Sequence, residues 1–285
     1  MIKKSKQALS KLAKKSQGVI SGLNLPSVSD VDPKVYDYQF VDKVLKTKID
    51  KHLFLVCAPK SGSTWLSHVV EELLDWPSVR LAPSFEHREQ EIDLLPLLRN
   101  SNAPKVYSSH QHCRYSLYTE KICRLINSHI VLQVRDIFDT VYSYVDHMNK
   151  ESVRVPAGFM NDEIWSKMDD EAKFSFVVDM IIPWYFNFYA GWMTSPLRQE
   201  GKVHLITYQD LKEDFGGVIK GIFNFMDEPL SDDKLNNAIS ASNQANTRKN
   251  KGVAGRGQGL PKELQARIRR YATYYPDVDF TPLGL

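Results

Sequence analysis

The chain has 285 residues, which at about 150 residues per domain leaves room for one large α/β domain or two small ones. Its 42% hydrophobic and 25% charged residues, with 14 Gly and 14 Pro, exclude collagenous, coiled-coil and disordered classes. The formal charge is +3, but residues 1–30 hold six lysines against one aspartate, so residues 31–285 carry −2 and any anion site on the body must be local.

Residues 1–30 contain no apolar run long enough for a signal peptide and are expected to form a basic N-terminal arm ahead of a domain at 31–285. Cys57, Cys113 and Cys123, an odd count in a chain of this length, fit a reducing cytoplasm rather than a disulfide framework. Phe174–Met193 is the most apolar long stretch. It is interrupted by Asp179, Pro183 and Asn187, which predicts a buried helix and no membrane span.

In chain order, Leu53–Ala58 is continuously apolar, as in a central strand covered on both faces, and Pro59–Ser63 breaks it. Leu66, Val69, Val70, Leu73 and Leu74 then recur at helical spacing until Trp76-Pro77. Further strands are expected at Lys105–Ser108, Ile130–Val134 and Val203–Thr207, and helices at 137–149, 171–194, 212–226 and 261–272. Residues 77–103 read as a loop able to cap a cleft, and Asn243–Pro261 as a Gly-rich basic loop. Alternating elements of this kind predict an α/β fold, a mostly parallel central sheet flanked by helices.

Four segments carry candidate chemistry. Pro59-Lys60-Ser61-Gly62-Ser63-Thr64-Trp65 joins a strand to a helix, where backbone N–H groups and the positive end of the helix dipole favour an anion. It is not a Walker A loop: Ala58 replaces the first glycine and Lys60 precedes Gly62. Val134-Arg135-Asp136 ends a strand, and Ser143 lies about two helical turns beyond Arg135, so the pair could meet one phosphate. Lys105–His110 delivers a histidine able to accept a proton near neutral pH. Arg248-Lys249-Asn250-Lys251-Gly252, running on to Gly259, groups cations with glycines. On the residues alone three readings stay open: a capped βα turn, a P-loop kinase using ATP with Asp136 on Mg²⁺, and a non-catalytic nucleotide- or RNA-binding module.

The run Pro59–Trp65 matches at every position the P-K-[ST]-G-[ST]-[ST]-W phosphosulfate loop and resembles that of cytosolic-type sulfotransferases. The resemblance extends over about Leu53–Gly259 and takes in the Arg135/Ser143 spacing, Tyr208-Gln209-Asp210-Leu211-Lys212 and, partially, Arg248-Lys249. It implies a P-loop-like fold and direct in-line transfer of a sulfuryl group from 3′-phosphoadenosine-5′-phosphosulfate (PAPS) to a hydroxyl or amine of a small-molecule acceptor, leaving adenosine 3′,5′-bisphosphate (PAP). No metal, nucleic acid or membrane partner is implied. In that scheme Lys60 and His110 are catalytic. Lys60, Ser61, Gly62, Ser63, Thr64, Trp65, Arg135, Ser143, Tyr208, Arg248 and Lys249 bind the cofactor, with Trp65 and Tyr208 near adenine. The chain departs from the family at Ser108, where a lysine is usual two residues before the histidine, and at Asn250, in the place of a glycine. It also lacks the family's aromatic near Ser240–Asn243 and its C-terminal dimer motif.

Overall fold

The computed structural model describes residues 49–81, 91–92, 103–155, 157–244 and 255–285, all within the unit Val44–Leu285. The expected arm at 1–30, most of the 77–103 loop, and Arg248 and Lys249 lie outside the described residues. Four parallel strands, β1 (Lys51–Cys57), β2 (Lys105–Gln111), β3 (Ser128–Val134) and β6 (Val203–Thr207), form one sheet in the order β2-β1-β3-β6. A short antiparallel pair, β4 (Arg154–Val155) and β5 (Gly158–Phe159), stands apart from it.

The helices are α1 (Ser63–Leu73), α2 (Leu117–Leu125), α3 (Ile137–Lys150), α4 (Asp162–Lys167), α5 (Asp170–Phe176), α6 (Ile182–Met193), α7 (Pro196–Gln199), α8 (Tyr208–Glu213), α9 (Phe215–Phe225), α10 (Asp232–Gln244) and α11 (Lys262–Ala272). β1 is buried on both faces because it is central. Leu53, Leu55 and Cys57 pack with α1, α9 and α10, while Phe54 and Val56 alternate to the other side, equally buried.

All four expected strands are present. The helix expected over 171–194 runs from α5 into α6 through a π turn at Val177–Ile181. Pro183 sits in the first turn of α6; a proline has no N–H to give an α ladder, and the wider turn before it absorbs the mismatch. The helix expected over 212–226 is two helices. Asp214 leaves helical geometry (φ −144°, ψ 74°) and accepts the Gly217 N–H at 2.8 Å, ending α8 and capping α9. No described helix is long and apolar enough to cross a membrane.

One irregularity bears on function. Phe54 pairs with Ser108 and Val56 with Gln111, so between these pairs one residue of β1, Leu55, opposes two of β2. A bulge therefore falls at Ser109-His110 and re-aims the end of β2.

Candidate functional site

The carboxyl ends of β1, β2, β3 and β6 lie side by side, and the turns leaving them build the site. After β1 the chain turns through Lys60 (φ 65°) and Gly62 (φ 87°), both left-handed, before α1 begins. Lys60 is not a glycine, so this conformation is strained and must be held by its surroundings. The supports are visible. Ser61 Oγ donates to Ala58 O at 2.6 Å, the Ala58 N–H donates to Gln133 O at 2.8 Å, Gln133 Nε2 donates to Ser61 O, and the buried Tyr185 hydroxyl donates to Pro59 O. Burial pushes the Tyr185 phenol well above its ordinary range, so it stays a donor.

No side chain caps α1, and its first turn holds no acidic residue. The Trp65 and Leu66 N–H groups donate to Gly62 O, so the N–H groups of Ser63 and Thr64 are the ones left to an outside acceptor. Gly62 is required twice, by its φ and because a Cβ there would stand 2.9 Å from the Tyr208 ring. This uncapped turn with a lysine at its entrance fits the sulfate- and phosphate-bearing end of an adenine nucleotide.

Arg135, leaving β3, reaches back to the same loop. Its Nη1 donates to Lys60 O at 3.3 Å, and its guanidinium lies 4.4 Å from the centre of the Tyr208 ring. Lys60, Gly62, Arg135 and Tyr208 are thus brought together from three strand ends. Ser143 is buried on α3, two turns beyond Arg135 and on the face that carries Asp139. Trp65 stacks on Phe215, ring centres 4.1 Å apart and 18° between planes. Ser63 is buried and Thr64 half-buried at the start of α1.

His110 sits in the bulge of β2. Its Nδ1 lies 3.4 Å from Ser109 Oγ, which is 3.1 Å from Ser67 Oγ on α1, so the histidine is tied to the helix that follows the loop. His112 donates from Nδ1 to Cys57 O at 2.7 Å, next to the loop entrance, and its ring centre is 6.4 Å from that of His110.

The lysine absent at position 108 has its explanation in the geometry of β2. Ser108 does not point a hydroxyl at the site: its Oγ donates to Val79 O at 2.7 Å and lies 2.9 Å from His52 Nε2 inside the sheet. Lys105 cannot replace a lysine there, because it pairs with Glu228 at 2.7 Å at the start of β2. Asp136, the candidate Mg²⁺ ligand of the kinase reading, caps α3 by accepting the Asp139 N–H at 2.8 Å.

Three contributors escaped the sequence reading. Gln133 interrupts the apolar run from Ile130 to Val134 and braces the loop. His112 follows His110 in an H-x-H pattern. Asp139 showed locally only its four-residue spacing from Arg135, and its other partners lie more than a hundred residues away.

Comparison with known proteins bears on the family and the fold. The sulfotransferase domain profile matches residues 50–269. Human sulfotransferase 2A1 is 25% identical over 211 residues, 71% of this chain and 68% of that protein. Zebrafish (Danio rerio) sulfotransferase 6B1 is 25% identical over 199 residues, 67% of this chain and 61% of that protein. Among solved structures, mouse sulfotransferase SULT7A1 complexed with PAP superposes with a TM-score of 0.58 at 18% identity, over 86% of this chain and 91% of that one. Retinol dehydratase in complex with androsterone and the inactive cofactor PAP gives 0.51 at 16% identity, over 85% and 86%.

Proposed function

The chain belongs to the sulfotransferase family, and from that premise we propose that it moves a sulfuryl group from PAPS to a hydroxyl or amine of a small-molecule acceptor. The observation that carries this reading is the meeting of the uncapped α1 turn, Lys60, Arg135 and Tyr208 at one strand edge, with His110 on the neighbouring strand. When bound, PAPS supplies an activated sulfuryl group on a nucleotide that departs as PAP.

The chain's own residues then have separate tasks. Lys60 and the N–H groups of Gly62, Ser63 and Thr64 face developing negative charge with fixed positive ends, which need no reorganisation during reaction. Arg135 offers its guanidinium and Ser143 its hydroxyl to the 3′-phosphate, with Arg248 and Lys249 as further cations. Trp65, backed by Phe215, and Tyr208 bracket the base. His110 accepts the acceptor's proton at Nε2, its Nδ1 being turned to Ser109. A cytosolic setting is supported by Cys57, Cys113 and Cys123, which are buried and unbridged.

The test is transfer from labelled PAPS across a panel of phenols, alcohols and amines, with the wild type and His110→Ala. The wild type is expected to label one acceptor class. His110→Ala is expected to lose about 100-fold or more of turnover, the usual worth of a positioned base, while binding PAP unchanged. Full turnover by the variant would remove the base assignment, and no transfer by a PAP-binding wild type would point to a non-catalytic binder.

A further inference from the structure

We propose that Asp139 is a positioning residue that fastens the Gly255–Gly257 segment to the start of α3 and shares the Arg135 guanidinium, making the end of the basic loop and the Arg135 anion site one unit. The inference rests on the donor-binding reading above and concerns a residue that reading does not use. Asp139 is only 4% exposed. A carboxylate so buried needs strong partners, and it takes them from a distant stretch of chain. Oδ1 accepts the Gly257 N–H at 2.8 Å, and Oδ2 accepts the Gly255 N–H at 3.0 Å and lies 3.5 Å from Arg135 Nη2.

The segment is shaped to fit this anchor. Gly255 has φ 85°, and a Cβ on Gly257 would stand 2.4 Å from Phe138 Cβ and 2.8 Å from the Asp139 nitrogen, so no other residue fits at 257 without moving the backbone. Arg256, between them, donates to Asp146 Oδ2 at 2.6 Å and lies 5.0 Å from the centre of the Tyr142 ring. Asp139, Tyr142 and Asp146 follow each other along one face of α3 at three- and four-residue steps. Three successive residues, 255 to 257, are therefore gripped by one helix face, and Arg256 serves as an anchor rather than as a cation for the nucleotide.

Charge and geometry predict opposite signs for the loss of Asp139, which makes the role testable. A negative charge beside Arg135 by itself weakens anion binding there, so its removal would tighten PAP. If Asp139 instead holds Arg135 and the basic loop in register, its removal loosens PAP and spares nucleotides without a 3′-phosphate. The experiment is calorimetry of the full chain with PAP and with adenosine 5′-monophosphate, for wild type, Asp139→Asn and Gly257→Ala. Each variant is expected to lose tenfold or more in PAP affinity, to stay within twofold for the monophosphate, and to add little to the other when combined. Hydrogen exchange of the nucleotide-free chain reads the anchor alone: Asp139→Asn should speed exchange over 255–260 by tenfold or more. Unchanged or tighter PAP binding, equal losses for both nucleotides, or unchanged exchange would overturn the proposal. A wild type that does not prefer PAP would instead count against the donor reading and the coupling to Arg135, with the exchange result still deciding the anchor.

Discussion

Ser108 occupies the position at which the family carries a lysine, and its surroundings explain why the substitution is not a gap in the site. The side chain is 2% exposed, donates to Val79 O and accepts from His52 Nε2, whose Nδ1 in turn lies 2.8 Å from Ser128 Oγ. A lysine placed there would bury an ammonium against a histidine. Ser108→Lys is expected to destabilise the chain by roughly 2–5 kcal/mol, as burial of an unpaired charge does, without raising turnover. Denaturant midpoints and the transfer assay check this; a stable variant with faster transfer would contradict it. The residue pattern could not reveal this arrangement, because K-x-H spacing assumes a regular strand and the bulge at Ser109-His110 breaks the alternation.

At the scale of the elements, the registry of β1 with β3 sets His52 beside Ser128 in the middle of the sheet. Burial, and secondarily the charge of His129, pushes the His52 imidazole down to about 3. Its unfolded value is about 6.5, so between those limits the unfolded chain holds the extra proton. Stability is then complete above pH ~6.5 and declines as pH falls toward 3, by about 1.4 kcal/mol per unit for this one group. Burial lowers His129 and His204 too, and they act in the same direction. Replacing His52 with Gln, which can still bond both serines, should flatten the dependence of the unfolding midpoint on acid pH by that one group's share. An unchanged slope would show that His52 protonates freely in the folded chain.

The same scale separates what is legible from what is not. β1 and β3 could be read because central parallel strands are covered on both faces and so spell continuous apolar runs, and the edge strands β2 and β6 because each is a short apolar or β-branched run that ends where polar residues begin. α2, α4 and α10 could not, since α2 has polar and charged residues among few apolar ones, α4 is a single turn and a half, and α10 buries only Leu235 and Ala238 among its hydrophobic residues. The break at Asp214 follows from a capping carboxylate that periodicity does not register.

Across the whole molecule, the site is assembled from turns that are far apart in sequence and adjacent only because the strand order is β2-β1-β3-β6. The loop, Arg135 and Tyr208 could be named beforehand because each sits in a compact motif at a strand end. The roles of Gln133 and His112 could not, because they exist only through contacts with Ser61 and Cys57, and the spacing of Asp139 from Arg135 did not reveal its hold on Gly255–Gly257.

In the proposed function this strand edge grips both phosphate-bearing ends of one adenosine, with Arg135 at the 3′ end. Calorimetric titration of the wild type and Arg135→Ala with PAP and with adenosine 5′-monophosphate tests it most directly. The wild type is expected to prefer PAP by tenfold or more, in line with about 1.5–3 kcal/mol for hydrogen bonds to charged groups, and Arg135→Ala to abolish the preference while leaving the monophosphate nearly unaffected. Equal affinity of the wild type for the two nucleotides, or a preference that survives the substitution, would contradict it.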